Sequence, residues 1–85
     1  MRIPEIEMWI INWFYSKSSI MSTKEIKKRI NENFFELGLI DSMNAMELII
    51  DIESNFNISL THEDFEDDRF FSISGLSQII NEKQQ

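Results

Sequence analysis

The segment "SMNAMELIIDIESNF", residues 42 to 56, constrains this chain most. It holds no Gly or Pro, and its apolar residues recur at helical spacing, so it is expected to form one helix. A helix turns by about 100° per residue, which places each side chain around the axis. With Leu48 at zero, Ala45, Ile52, Phe56 and Ile49 fall between roughly 40° and 100°. That stripe is wide enough to face a core. Met43, Met46 and Ile50 fall between roughly 160° and 220°, outside it. Asn44, Glu47, Asp51, Ser54 and Asn55 fill roughly 240° to 340°. Glu53 lies between the two apolar stripes. The second stripe has two uses open to it. Met46 and Ile50 can pack on a loop or another helix, or the Met-rich edge can stay outside as an adaptable rim for partners or cargo.

The rest of the chain also reads as helical. Only 2 Gly and 1 Pro interrupt it. Pro4 suits a first helical turn, where its missing N–H costs nothing. Ile6, Trp9, Ile10, Trp13 and Phe14 then predict a helix over about 4–17, with both Trp as core anchors. Ser22 followed by Glu25 is a capping-box signature, predicting a short helix over about 23–31. "NENFFELGLID" predicts an ordered, apolar loop packed over the core, with turns at Asn31 and Asn33 and a positive φ available at Gly38. "NISL" is expected to pin Ile58 and Leu60 to the core. Thr61 is expected to cap a short helix over about 62–68, with Glu63 and Asp64 favoured in its first turn. "RFFSIS" then connects to a last helix capped by Ser74, carrying Leu76, Ile79 and Ile80 and ending before "EKQQ". The expected architecture is one all-α domain over residues 1–85.

Charge and composition narrow the function. Residues 34–85 carry a net −9, whereas residues 22–33 carry +2. The acidic part repels nucleic acid and anionic membrane, and the basic cluster reads as one solvated helix face. There is no Cys, hence no disulfide, thiolate metal site or protein thiol nucleophile. Glu5 and Glu7 precede the apolar part of the N-terminus, unlike a secretory signal. No apolar run reaches the length of a membrane span. The expectation is a cytoplasmic protein with no nucleic-acid partner and no membrane insertion.

Ser42 stands at the mouth of the 42–56 helix, directly after Asp41. Either residue can cap that helix by accepting a first-turn N–H. A phosphoester on Ser42 would equally lie beside unpaired N–H groups and the positive end of the dipole. A serine nucleophile needs an adjacent base, and the single His, His62, is remote in sequence. If Ser42 is functional, another enzyme modifies it.

The stretch "FFELGLIDSMNAMELIIDIESNFNI" resembles the acyl and peptidyl carrier proteins. Asp41, Ser42 and Met43 match the family's Asp-Ser-aliphatic signature, Gly38 stands upstream, and Glu47, Leu48 and Phe56 follow at the family's spacing. The resemblance extends more weakly over nearly the whole chain. It implies a small four-helix bundle of acyl carrier type, with a long loop between helices one and two and a short third helix. It implies 4′-phosphopantetheine, taken from coenzyme A by a phosphopantetheinyl transferase and joined to the Ser42 hydroxyl. Cargo would ride on the arm as a thioester, the cofactor bringing the sulfur that this chain lacks. The protein would then be a carrier substrate and not a catalyst, monomeric, served by an adenylating or acyl-loading ligase and by downstream acyl- or aminoacyl-processing enzymes. By position, Asp41, Met43, Met46, Glu47, Ile50 and Asp51 would meet those partners, with charge-steered docking to basic surfaces. Met43 replaces the commoner Leu. Asn44, Ser54 and Asn55 make the polar face less acidic than in fatty-acid carriers. "GLIDSM" and "HEDFEDDRFFSISGL" look more like stand-alone aminoacyl or D-alanyl-type carriers.

Other readings fit less of the sequence. Asp64, Glu66 and Asp68 alternate as in a calcium loop, but Arg69 and Gly75 occupy the positions where an EF-hand needs Gly and Glu. His62 lacks companion metal ligands, which favours a plain surface or loop residue. An acidic four-helix inhibitor of the nuclease-immunity kind would share the size and charge, and would leave Ser42 as a helix cap only. A carrier fold kept as a scaffold would not need an intact Asp-Ser-Met.

Overall fold

The computed structural model describes residues 2–85, and all of its regular structure is helical. The order is α1 (Ile3–Lys17), α2 (Thr23–Lys28), α3 (Ser42–Phe56), α4 (His62–Glu66), a 3-10 turn (Asp68–Phe71) and α5 (Ile73–Gln84). This is the expected small carrier-type bundle, with α2 carried inside the long connection between α1 and α3. No helix among the described residues is long and apolar enough to cross a membrane.

One apolar cluster joins these elements. α1 contributes Ile6, Ile10, Ile11, Trp13 and Phe14; α3 contributes Leu48, Ile52 and Phe56; α5 contributes Ile73, Leu76, Ile79 and Ile80. Trp13 is a core anchor as expected, but Trp9 is only half-buried and rests edge-on against Phe56, while Ile11 takes a core place. Ser77 is the buried polar side chain of α5, and its hydroxyl donates to the Ile73 carbonyl at 2.7 Å, so its burial leaves no orphan donor.

The long connection packs inward, as its apolar content requires. Phe34, Leu39 and Ile40 are buried within it, and Ile26 of α2 joins them. The Asn33 side chain accepts from the amides of Phe35 and Glu36 at 2.8 and 3.1 Å, closing the turn. Gly38 adopts φ +76°, a conformation costly for a residue with a Cβ. Two backbone bonds stitch the connection to the approach of α5. The Phe34 amide donates to the Phe71 carbonyl at 2.9 Å, and the Ser74 amide to the Ile30 carbonyl at 2.8 Å. These ties hold Ile40 in the core and present Asp41 and Ser42 at the surface.

Several boundaries differ from the sequence expectation. α2 stops at Lys28 and not near 31, because Arg29 leaves helical geometry and caps the turn. The expected 62–68 helix ends at Glu66, and "DRFF" coils as a 3-10 turn in place of an irregular connection. Thr61 is the N-cap of that helix as expected, in a capping box with Asp64, whose carboxylate accepts from the Thr61 amide at 2.7 Å and the Thr61 hydroxyl at 3.0 Å. α5 is capped by Ser72, not Ser74, with the Ser72 oxygen accepting the Gly75 amide at 3.0 Å. Starting there places Ile73 in the core, and the helix runs on through Glu82 and Lys83 because both find partners. Arg69 joins Glu82 to the 3-10 turn at 2.8 Å, and Lys83 joins Asp64 at 2.7 Å.

Candidate functional site

The mouth of α3 is built by its cap. Asp41 has extended backbone, and its carboxylate accepts the Asn44 amide at 2.9 Å while its carbonyl accepts from Ala45 at 3.0 Å. Of the two candidate caps, Asp41 therefore takes the role. Ser42 is the first residue of the helix and is exposed. Among the described residues, no side chain hydrogen-bonds its hydroxyl, and the amides of Ser42 and Met43 have no acceptor. The geometry leaves a primary alcohol at the positive end of a 15-residue helix, beside amides able to bind an anion. The carboxylate of Asp41, the neighbour of Ser42 in sequence, is held by the Asn44 amide. His62 opens α4, is 87% exposed and pairs with Glu66 at 3.2 Å.

Two surface clefts are lined by other residues, one of about 530 Å³ along Pro4, Met8 and Trp9 and one along Asn33 and Leu37. Among the described residues no three His, Asp or Glu side chains converge as a metal cluster. Asp64, from the alternating acids, is committed to Lys83 and Thr61. Burial pushes its carboxyl up, but the bonds from Lys83 and Thr61 outweigh this and hold it below the ordinary value.

The second apolar stripe of α3 lies outside. Met43 is 84% exposed, Met46 61% and Ile50 58%, so packing of Met46 and Ile50 on a loop or helix does not occur. The acids beside the stripe are engaged within the chain. Trp13 donates its indole N–H to Asp51 at 2.7 Å. Lys17 pairs with Glu47 and lies 5.4 Å from the centre of the Trp13 ring. The bond to Glu47 raises the Lys17 pKa. Glu53, whose exposure the helical wheel left open, accepts the Leu60 amide at 2.8 Å and so ties the end of α3 to the next loop. Of the residues singled out in the sequence, the fold thus gathers Asp41, Ser42, Met43, Met46 and Ile50 on an open surface. It turns Asp51 toward α1 and pairs Glu47 with it. Trp13 and Lys17, the partners on α1, carry no sequence signal of this role, being 38 and 30 positions away. Ile20, 59% exposed and beside the Gly38 turn, was likewise not marked by any local pattern.

Comparison with known proteins adds a separate line. Residues 20–80 match the family model described as the phosphopantetheine attachment site. A D-alanyl carrier protein of Leuconostoc citreum (strain KM20) is 40% identical over 47 residues, which is 55% of this chain and 60% of that relative's length. A D-alanyl carrier protein of Streptococcus pyogenes serotype M5 (strain Manfredo) is 30% identical over 61 residues, covering 72% of this chain and 77% of the relative. No solved structure matches the chain.

Proposed function

The chain belongs to the phosphopantetheine attachment family, and from that premise we propose that it is a discrete carrier domain whose Ser42 hydroxyl bears the cofactor. The observation that carries this reading is the division of labour at the α3 mouth: Asp41 caps, leaving Ser42 exposed and unbonded. The residues present fit a phosphoester. The amides of Ser42 and Met43 and the helix dipole favour its negative charge, and the surrounding surface is open enough for a transferase to reach. When attached, 4′-phosphopantetheine supplies a thiol that holds cargo as a thioester. The chain's own part is to present the handle and the surface around it. In this reading the protein is a substrate of other enzymes: a phosphopantetheinyl transferase, a loading ligase and acyl- or aminoacyl-processing enzymes.

For cargo, we favour an aminoacyl group of the D-alanyl kind. The relatives named D-alanyl carrier proteins support it, as does a polar face softened by Asn44, Ser54 and Asn55. The test of attachment is intact mass after incubation with coenzyme A and a broad-specificity phosphopantetheinyl transferase. One phosphopantetheine group should be gained by the wild type and none by Ser42→Ala. No gain with a transferase active on a control carrier overturns the reading. The cargo is read by offering the loaded protein to adenylating ligases with D-alanine, other amino acids and fatty acids.

A further inference from the structure

Resting on the carrier reading, we propose that Lys17 is a specificity-determining residue: its ammonium, seated on Glu47, is a resident cation that turns away enzymes which would place a cation of their own there. The pair stands close to the handle. Glu47 is five residues past Ser42, roughly 8 Å along the helix axis and so about one Debye length at physiological salt. An enzyme that encloses Ser42 therefore comes within range of whatever charge stands at Glu47.

Several contacts hold the ammonium in place. It pairs with the Glu47 carboxylate. It lies 5.4 Å from the centre of the Trp13 ring, a face that attracts cations. Trp13 is itself fixed, because its indole N–H donates to Asp51 at 2.7 Å. Lys17 is also the last residue of α1, where the negative end of the helix dipole favours a cation. The bond to Glu47 raises the Lys17 pKa, so the charge is present throughout the neutral range. The two acids on this side of α3 are thus not alike. Asp51 accepts from a neutral indole and keeps its negative charge. Glu47 faces an equal and opposite charge. Both members of that pair are part-exposed, their side chains 32% and 47%, so an approaching protein meets a neutral unit. A partner lysine or arginine aimed at Glu47 encounters a like charge. Unfavourable contacts of this kind set the choice of partner, and surface charges act mainly on encounter.

The experiment uses the full chain and a phosphopantetheinyl transferase with a basic carrier-binding face. KM for the protein substrate is measured in low salt and in about 1 M salt, where the Debye length is roughly 3 Å. Lys17→Met keeps the aliphatic stem over Trp13 and removes the charge. It should lower KM about threefold in low salt, the effect of one unit charge at this range, and leave KM as in wild type in high salt. Lys17→Arg should keep the wild-type KM. Glu47→Gln strips the acid, leaves the cation and should raise KM by about the same factor. The two substitutions Lys17→Met and Glu47→Gln together should return KM to near wild type. Lys27→Met makes the same change in net charge at an exposed site on α2, and should shift KM by less than half as much. Should Lys17→Met melt early, Glu47→Gln carries the same test with the sign reversed. The inference is overturned if Lys17→Met raises KM or leaves it as it was in low salt, if the fall persists in high salt, or if Lys27→Met lowers KM equally. Failure of the wild type to be loaded by a transferase active on a control carrier would instead sink the carrier reading, so the two failures are distinguishable.

Discussion

Replacing Gly75 by Ala sets two physical effects against each other. Gly75 lies in the first turn of α5, and Ala is the better helix former by up to about 1 kcal/mol. Propensity alone therefore predicts a more stable protein. Packing predicts the reverse. A Cβ on Gly75 would lie 2.2 Å from the Arg69 carbonyl oxygen, and 2.7 and 2.8 Å from its Cα and carbonyl carbon. Ordinary contact begins at 3.4 Å, and the clashing atoms belong to backbone, not to a side chain that can swing away. Arg69 cannot retreat cheaply, because its guanidinium bridges Asp67 and Glu82 and its carbonyl accepts from the Ser72 amide. Overpacking of a tight site costs about 1–3 kcal/mol, and a clash with anchored backbone belongs at the upper end. Less the helix gain, the net loss is about 2 kcal/mol. For a domain of this size that lowers the melting temperature by roughly 8–16 °C. Urea denaturation with an unchanged slope would attribute the change to stability. Gly38→Ala is the comparison: its Cβ meets only Ile20 Cδ1 at 3.8 Å, so it suffers the φ +76° penalty alone, about 1–2 kcal/mol. A Gly75→Ala protein that melts at or above the wild-type temperature refutes the close approach of α5 to the 3-10 turn.

Two further outcomes follow from the contacts. Asp51→Leu should cost about 1–3 kcal/mol by leaving the Trp13 indole N–H without an acceptor, whereas Asp51→Asn retains one and should cost under about 1 kcal/mol; equal losses in thermal denaturation would contradict this. Acid should also destabilise the α5 end. The bonds from Arg69 hold the Asp67 and Glu82 carboxyls below their ordinary values, and those from Lys83 and Thr61 do so for Asp64 against its burial. A depressed native pKa contributes stability above the unfolded value of about 4 and loses it as pH falls through the native value. The melting temperature should therefore hold steady from neutral pH down to about pH 5 and decline below about pH 4, with a shallower decline in Arg69→Gln. Parallel pH profiles for wild type and Arg69→Gln would rule out this origin.

Local signals in the sequence were enough for the helices themselves. Pro4, the Ser22 and Glu25 pair and the 42–56 pattern placed α1, α2 and α3 to within a few residues, because capping and amphipathic spacing act over one or two turns. The apolar loop was legible for a related reason, since Phe34, Leu39 and Ile40 have to be buried somewhere. The α5 start was misplaced by local reasoning. Ser72 and Ser74 are equally good caps in isolation, and the choice came from the distant Ile30 carbonyl that takes the Ser74 amide.

What the sequence determined by itself was the existence of α3, its core stripe and a Ser at its mouth, since each follows from residue types within a few positions. What tertiary structure alone decided was the company of the other faces. The α3 wheel cannot say that Met46 and Ile50 stay outside, because that depends on where other helices are absent. Nor can it say that Asp51 and Glu47 are taken by Trp13 and Lys17, or that Gly75 must be Gly because Arg69 backbone passes beside it. Contacts between residues far apart in sequence arise from how the helices pack. Their energies depend on distances that local pattern does not encode.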